Sequence, residues 1–123
     1  MKRPSHQRKK TPVRHLTFVE LSAFIQLESR RLQKTYKTSR DFEKSVLGRT
    51  VKISEEVGEL CDEILASFSL QRKEKLQDHV SKLGEEVADV LITTLLLAER
   101  MGVDVEEALA LKIEKIHQRY QRR

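Results

Sequence analysis

The sequence predicts an all-α fold, a four-helix bundle. Three observations carry this. Proline and glycine number only two and four in 123 residues, Trp is absent, and Leu, Glu, Lys and Arg are plentiful, a composition that favours helices over strands. Apolar residues recur in four segments at spacings of three and four, the period of a helix. Two of those segments open on a residue pair able to cap a helix, and one closes on a glycine.

The first helix is predicted to start at Thr17, whose hydroxyl can accept an orphan backbone N–H while Glu20 reaches back. Phe18, Leu21, Phe24, Ile25, Leu27 and Leu32 supply its apolar positions, the pattern fades near Tyr36, and residues 37–40 read as a connection. The second helix is predicted from about Asp41 to about Ala66, with Phe42, Val46, Leu47, Val51, Val57, Leu60, Ile64 and Leu65 as its apolar stripe. A polar stretch from Ser67 to about Lys73 follows. The third helix runs to Met101, with Leu83, Val87, Val90, Leu91 and Ala98 on one face. From Val90 to Ala98 it is apolar nearly all round, so it should be contacted on several sides, which in so short a chain points to a partner subunit, as homodimer or homotetramer. Gly102 stands where a left-handed C-terminal cap needs a residue without Cβ. The fourth helix opens at Asp104 with Glu107, and Ala108, Leu109, Leu111, Ile113 and Ile116 supply its apolar positions.

The formal net charge of +5 at first suggests a nucleic-acid binder. Its distribution argues otherwise. Of the 24 Lys and Arg, six lie in residues 1–16 with no acid among them, leaving 18 against 19 Asp and Glu in the rest. Residues 1–16 therefore read as a basic disordered tail, either a solvated extension or an electrostatic contact for nucleic acid, and residues 17–123 as the helical domain. Cys61, the single cysteine, excludes an intrachain disulfide and reads as a small core residue. The tail has no apolar segment behind it of the kind a secretory signal needs. The longest apolar stretch, Val90 to Ala98, falls far short of the ~20 residues of a membrane span. A soluble, cytoplasmic protein is expected.

The informative feature is where basic residues are missing. No Lys or Arg occurs from Ile53 to Gln71, which holds Glu55, Glu56, Glu59, Asp62 and Glu63, nor from Leu83 to Glu99, which holds Glu85, Glu86, Asp89 and Glu99. An ordinary solvated helix face mixes signs, because like charges four apart repel by roughly 0.2–0.5 kcal/mol. Glu55–Glu59, Glu59–Glu63 and Glu85–Asp89 are such pairs, no side chain within the windows compensates them, and a bound cation is the economical explanation. Glu56 and Glu59 are three apart, as are Glu86 and Asp89, so each pair shares a helix face. Facing helices would bring four carboxylates to one point. Oxygen-only ligands suit Mg²⁺, with Mn²⁺ as a substitute. Periodicity alone does not choose between Glu55 and Glu56 as the first ligand, and two plain acidic solvent faces would show the same spacing.

These residues resemble the MazG-like, all-α nucleoside triphosphate pyrophosphohydrolases, whose EExxE motif is matched by Glu55-Glu56-Val57-Gly58-Glu59 and whose ExxD motif is matched by Glu86-Val87-Ala88-Asp89. The run from Ala98 to Asp104, and Lys112 followed by Arg119-Tyr120, resemble the family's closing pattern, so that the similarity spans about residues 18–121. The resemblance implies a Mg²⁺-dependent enzyme that splits a nucleoside or deoxynucleoside triphosphate into monophosphate and pyrophosphate, clearing unwanted nucleotides. It implies Glu56, Glu59, Glu86 and Asp89 as metal ligands, Glu55 and Glu85 as supporting acids, and Lys112 and Arg119 facing the phosphates. Glu55 or Glu59 would serve as general base. Ile116 and Thr93 depart from an Asn and an aromatic found in relatives, and no Trp is present to grip a base, so the metal chemistry carries over better than base specificity.

Two rival readings account for less of the sequence. A non-catalytic helical interaction module with a nucleic-acid-binding tail leaves the acid-only windows unexplained. A di-iron carboxylate bundle needs two Glu-x-x-His motifs, and Glu114 with His117 is the only one in the sequence.

Overall fold

The computed structural model describes residues 15–37, 41–69 and 73–121. They form four α-helices: α1 (Phe18–Thr35), α2 (Phe42–Phe68), α3 (Lys73–Arg100) and α4 (Val105–Gln121). The expected all-α class and four-helix order hold. Of the basic tail, residues 1–14 lie outside the described residues.

Local chemistry sets the helix ends. The backbone N–H of Glu20 donates to Thr17 Oγ1 at 3.2 Å, that of Lys44 to Asp41 Oδ1 at 2.9 Å, and that of Glu107 to Asp104 Oδ1 at 3.0 Å. Three helices thus open on one device, a side-chain oxygen satisfying an orphan donor. At the end of α3, the N–H of Gly102 donates to Glu99 O and that of Val103 to Ala98 O, a Schellman closure. Gly102 has φ 69°, the left-handed conformation this closure requires.

The main packing is α2 against α3, with α1 resting on α3 and α4 in no more than marginal contact with the others. α2 and α3 run antiparallel in one register: Ser45 lies across from Arg100, Arg49 from Leu96 and Glu56 from Asp89. Each step along α2 is matched by an equal step back along α3.

This seam is polar. Arg49, 8% exposed, donates to Leu96 O at 2.7 Å, to Ser29 Oγ of α1 at 3.0 Å and to Glu99 Oε2 at 3.4 Å. The Ser29 hydroxyl, 1% exposed, donates to Glu99 in turn. Burial pulls the Arg49 guanidinium below its usual value and Glu99 pulls it back up. Arg100 Nε donates to Ser45 Oγ at 2.7 Å, and its guanidinium lies 5.2 Å from the centroid of the Phe42 ring. Burying a guanidinium costs free energy unless it is paired, so this knot is stable because every partner is present. It ties α1, α2 and α3 together.

Two expectations change here. An apolar stripe is the face a helix ordinarily buries, yet Leu47, Val51, Val57, Ile64 and Leu65 of the α2 stripe are exposed. Ile25 and Leu96 are the only buried hydrophobic side chains among the described residues. The face of α2 turned to α3 carries Ser45, Arg49 and Glu56 instead, because Ser45 and Arg49 find hydrogen-bond partners across the seam. Cys61, expected in the core, is exposed, since it lies on the outward side with Val57 and Leu65.

Candidate active site

Two turns along α2 from Arg49, the seam changes sign. Glu56 on α2 and Glu86 and Asp89 on α3 each bring one carboxylate oxygen within 4.8 Å of the others. Helical spacing puts Glu86 and Asp89 on one face of α3, and the register of the seam sets Glu56 opposite them. Glu56 is 6% exposed, Glu86 half-buried and Asp89 exposed, so the cluster opens from the seam to solvent.

The charges are poorly compensated. Glu56 Oε2 and Glu86 Oε2 are buried without a hydrogen-bond partner among the described residues. A buried carboxylate oxygen with no donor is costly unless a cation meets it. Burial, then the charges of Glu59, Asp89, Glu56 and Glu63, hold the Glu86 carboxyl above the usual range. Glu59 is raised too, first by the charge of Glu56, then by desolvation and by Glu55. Three carboxylates this close, two of them with a buried oxygen that has no partner among the described residues, suit one hard cation bound at about 2.0–2.6 Å. The donor set fits Mg²⁺ or Mn²⁺.

One inference from the sequence needs correcting. The acid-only window starting at Ile53 was read as lacking a compensating side chain, but Lys52 stands one residue before it. Its Nζ lies 2.9 Å from Glu56 Oε1 and 3.2 Å from Glu55 Oε1. The helix brings residues three and four apart together, which is why a cation just outside the window still reaches in. Glu99, grouped with the unpaired acids, pairs with Arg49 instead. Glu86 and Asp89 receive no ion pair among the described residues.

The other expected site residues fall as follows. Glu59 offers no oxygen to the three-carboxylate group, although it is near enough to feel Glu56. Glu55 is engaged by Lys52, and Glu85 is exposed. Lys112 and Arg119 are exposed on α4, which has only marginal contact with the other helices. Ser29, Ser45, Arg49 and Arg100 were not singled out in the sequence. Their signal was there: Ser45, Arg49 and Glu56 share one face of α2, four and then seven residues apart.

The fold and the site together define an all-α protein whose paired helices carry a carboxylate centre suited to a hard cation. The family model for the MazG nucleotide pyrophosphohydrolase domain matches residues 46–123, and the chain belongs to that family. The match covers both acidic motifs and α4. No curated protein and no solved structure matches the chain. No described helix is long and apolar enough to cross a membrane.

Proposed function

We propose that the protein hydrolyses a nucleoside or deoxynucleoside triphosphate to the monophosphate and pyrophosphate, with Mg²⁺ held by Glu56, Glu86 and Asp89 and joined by Glu59. The observation that carries this reading is the convergence of three carboxylates across the seam with two buried oxygens unpartnered. The family assignment supplies the class of reaction, a hydrolase acting on nucleotides. When bound, the cation neutralises phosphate charge and makes a water easier to deprotonate.

The remaining steps belong to the chain. Glu59, its carboxyl raised first by the charge of Glu56, accepts the proton of the attacking water; Glu55 is the alternative base once free of Lys52. Glu85 supports the carboxylates from the outer side. Lys112 and Arg119 contact the polyphosphate, and because α4 barely touches its own chain, a second copy supplies them. The exposed Leu109, Ile113 and Ile116 of α4 and the outward stripe of α2 suit burial in a homodimer or homotetramer. The role fits clearance of nucleotides in the cytoplasm, with residues 1–16 as an appended basic tail.

The test is incubation of the purified protein and Mg²⁺ with a panel of nucleoside and deoxynucleoside triphosphates, with products resolved. Monophosphate plus pyrophosphate, lost in Asp89→Asn, is expected. No turnover of any triphosphate with Mg²⁺ or Mn²⁺ would defeat the reading.

A further inference from the structure

We infer that Lys52 is a counter-ion latch: its ammonium holds Glu56 until a divalent cation arrives at the carboxylate cluster, and is then released to solvent.

Glu56 faces two ways. One oxygen, Oε1, receives Lys52 Nζ at 2.9 Å, while the other, Oε2, is buried and unpartnered. The same residue contributes to the group with Glu86 and Asp89. Lys52 thus stands in for part of the charge that a divalent cation would bring. It is also the only basic side chain paired with the acids of this cluster among the described residues. Its own environment is asymmetric: Glu55 and Glu56 lie on one side and, on the other, a groove lined by Leu32, Tyr36, Lys44, Gly48 and Arg49.

The helix limits what Lys52 can do. Its Cα is fixed four residues before Glu56, and its side chain is half-exposed, so only the flexible stem needs to move. Arg49 cannot take its place, because Ser29, Leu96 and Glu99 hold that guanidinium. A cation seated among Glu56, Glu86 and Asp89 would put like charge beside Nζ and withdraw the charge that held it. The ammonium then turns to solvent, to which its side chain is already half-exposed, because Lys44 and Arg49 on the groove side carry like charge. Metal entry would therefore be coupled to the appearance of a free positive charge beside the site. The inference rests on the cation reading proposed above, and its test separates the two.

The experiment measures Mn²⁺ affinity by electron paramagnetic resonance for the wild type, Lys52→Met and Lys44→Met, together with a crystal structure of the Mn²⁺-bound protein. Ion pairs that keep one partner in solvent change equilibria by about 1.4- to 5-fold, so Lys52→Met should bind Mn²⁺ more tightly by about two- to fivefold. Lys44→Met removes the same charge from the same groove without touching Glu56, and should leave the affinity within a factor of about 1.5, the low end of that range. In the Mn²⁺-bound structure, Lys52 Nζ should have left Glu56. Equal effects of the two substitutions, or Lys52 still bonded to Glu56 beside bound Mn²⁺, would overturn the latch while leaving the cation site standing. Absence of Mn²⁺ binding would overturn both.

Discussion

Replacing Arg49 with Met removes the centre of the knot that joins three helices. The substitution keeps length and apolar stem but deletes the donors to Leu96 O and Ser29 Oγ and the pairing to Glu99. A hydrogen bond from a charged donor contributes about 1.5–3 kcal/mol net. The Glu99 side chain is 34% exposed, so its pairing is discounted to about 0.5 kcal/mol. Relief of the buried charge offsets part of these losses. The expected net is about 3 kcal/mol, at the low end of the roughly 3–5 kcal/mol typical of removing one partner from a buried pair. For a domain of this size, that lowers the melting midpoint by on the order of 15 °C. Urea titration at fixed protein concentration is the assay, because self-association would otherwise shift the midpoint. Repeating it in Ser29→Ala should show coupling of at least about 0.5 kcal/mol between the two positions. Since the same register sets Glu56 opposite Asp89, Mn²⁺ affinity should fall as well, although Arg49 touches none of the clustered carboxylates. A loss below about 1 kcal/mol, or strict additivity with Ser29→Ala, would refute the claim that this knot fixes the seam.

Three further outcomes are expected. Glu86→Gln removes one of the crowded charges, so in chelator it should raise the melting midpoint at neutral pH while abolishing stabilisation by Mg²⁺; because the folded protein holds the Glu86 proton more tightly than the unfolded chain, the wild type gains stability as pH falls through the raised value, and the advantage of the variant should shrink in acid. Gly102→Ala places a Cβ at φ 69°, where space is open but the backbone is strained, and should cost about 1 kcal/mol by urea titration. Asp104→Ala deletes the acceptor for the Glu107 N–H and should cost about 1 kcal/mol; since α4 packs so little on the rest, the loss should show as reduced helicity by circular dichroism before the main transition.

The helices were legible because their signals are local. Thr17, Asp41, Asp104 and Gly102 act within three or four residues of themselves, and apolar spacing reports the period directly. The acidic motifs were legible for the same reason, since Glu86 and Asp89 meet on one turn. What was hidden depends on distance along the chain. Ser29, Arg49 and Glu99 look like unremarkable surface residues until three helices bring them together. The sidedness of α2 was hidden because two faces compete, one apolar and one polar, and periodicity assigns the apolar one to the interior. In this chain the polar face wins the contact with α3, since Arg49 and Ser45 find partners there. Lys52 escaped notice because the window was drawn by residue type along the sequence, whereas the helix pairs residues four apart.

The constant register of α2 and α3 has a consequence for how the chain tolerates change. The crossings at Ser45 and Arg49 are fixed by side-chain hydrogen bonds, and the two helices carry that register two turns on to Glu56 and Asp89. The site therefore depends on the count of residues between the knot and the acids: one residue added within α2 between Arg49 and Glu56 would rotate Glu56 by about 100° and leave Glu86 and Asp89 facing nothing.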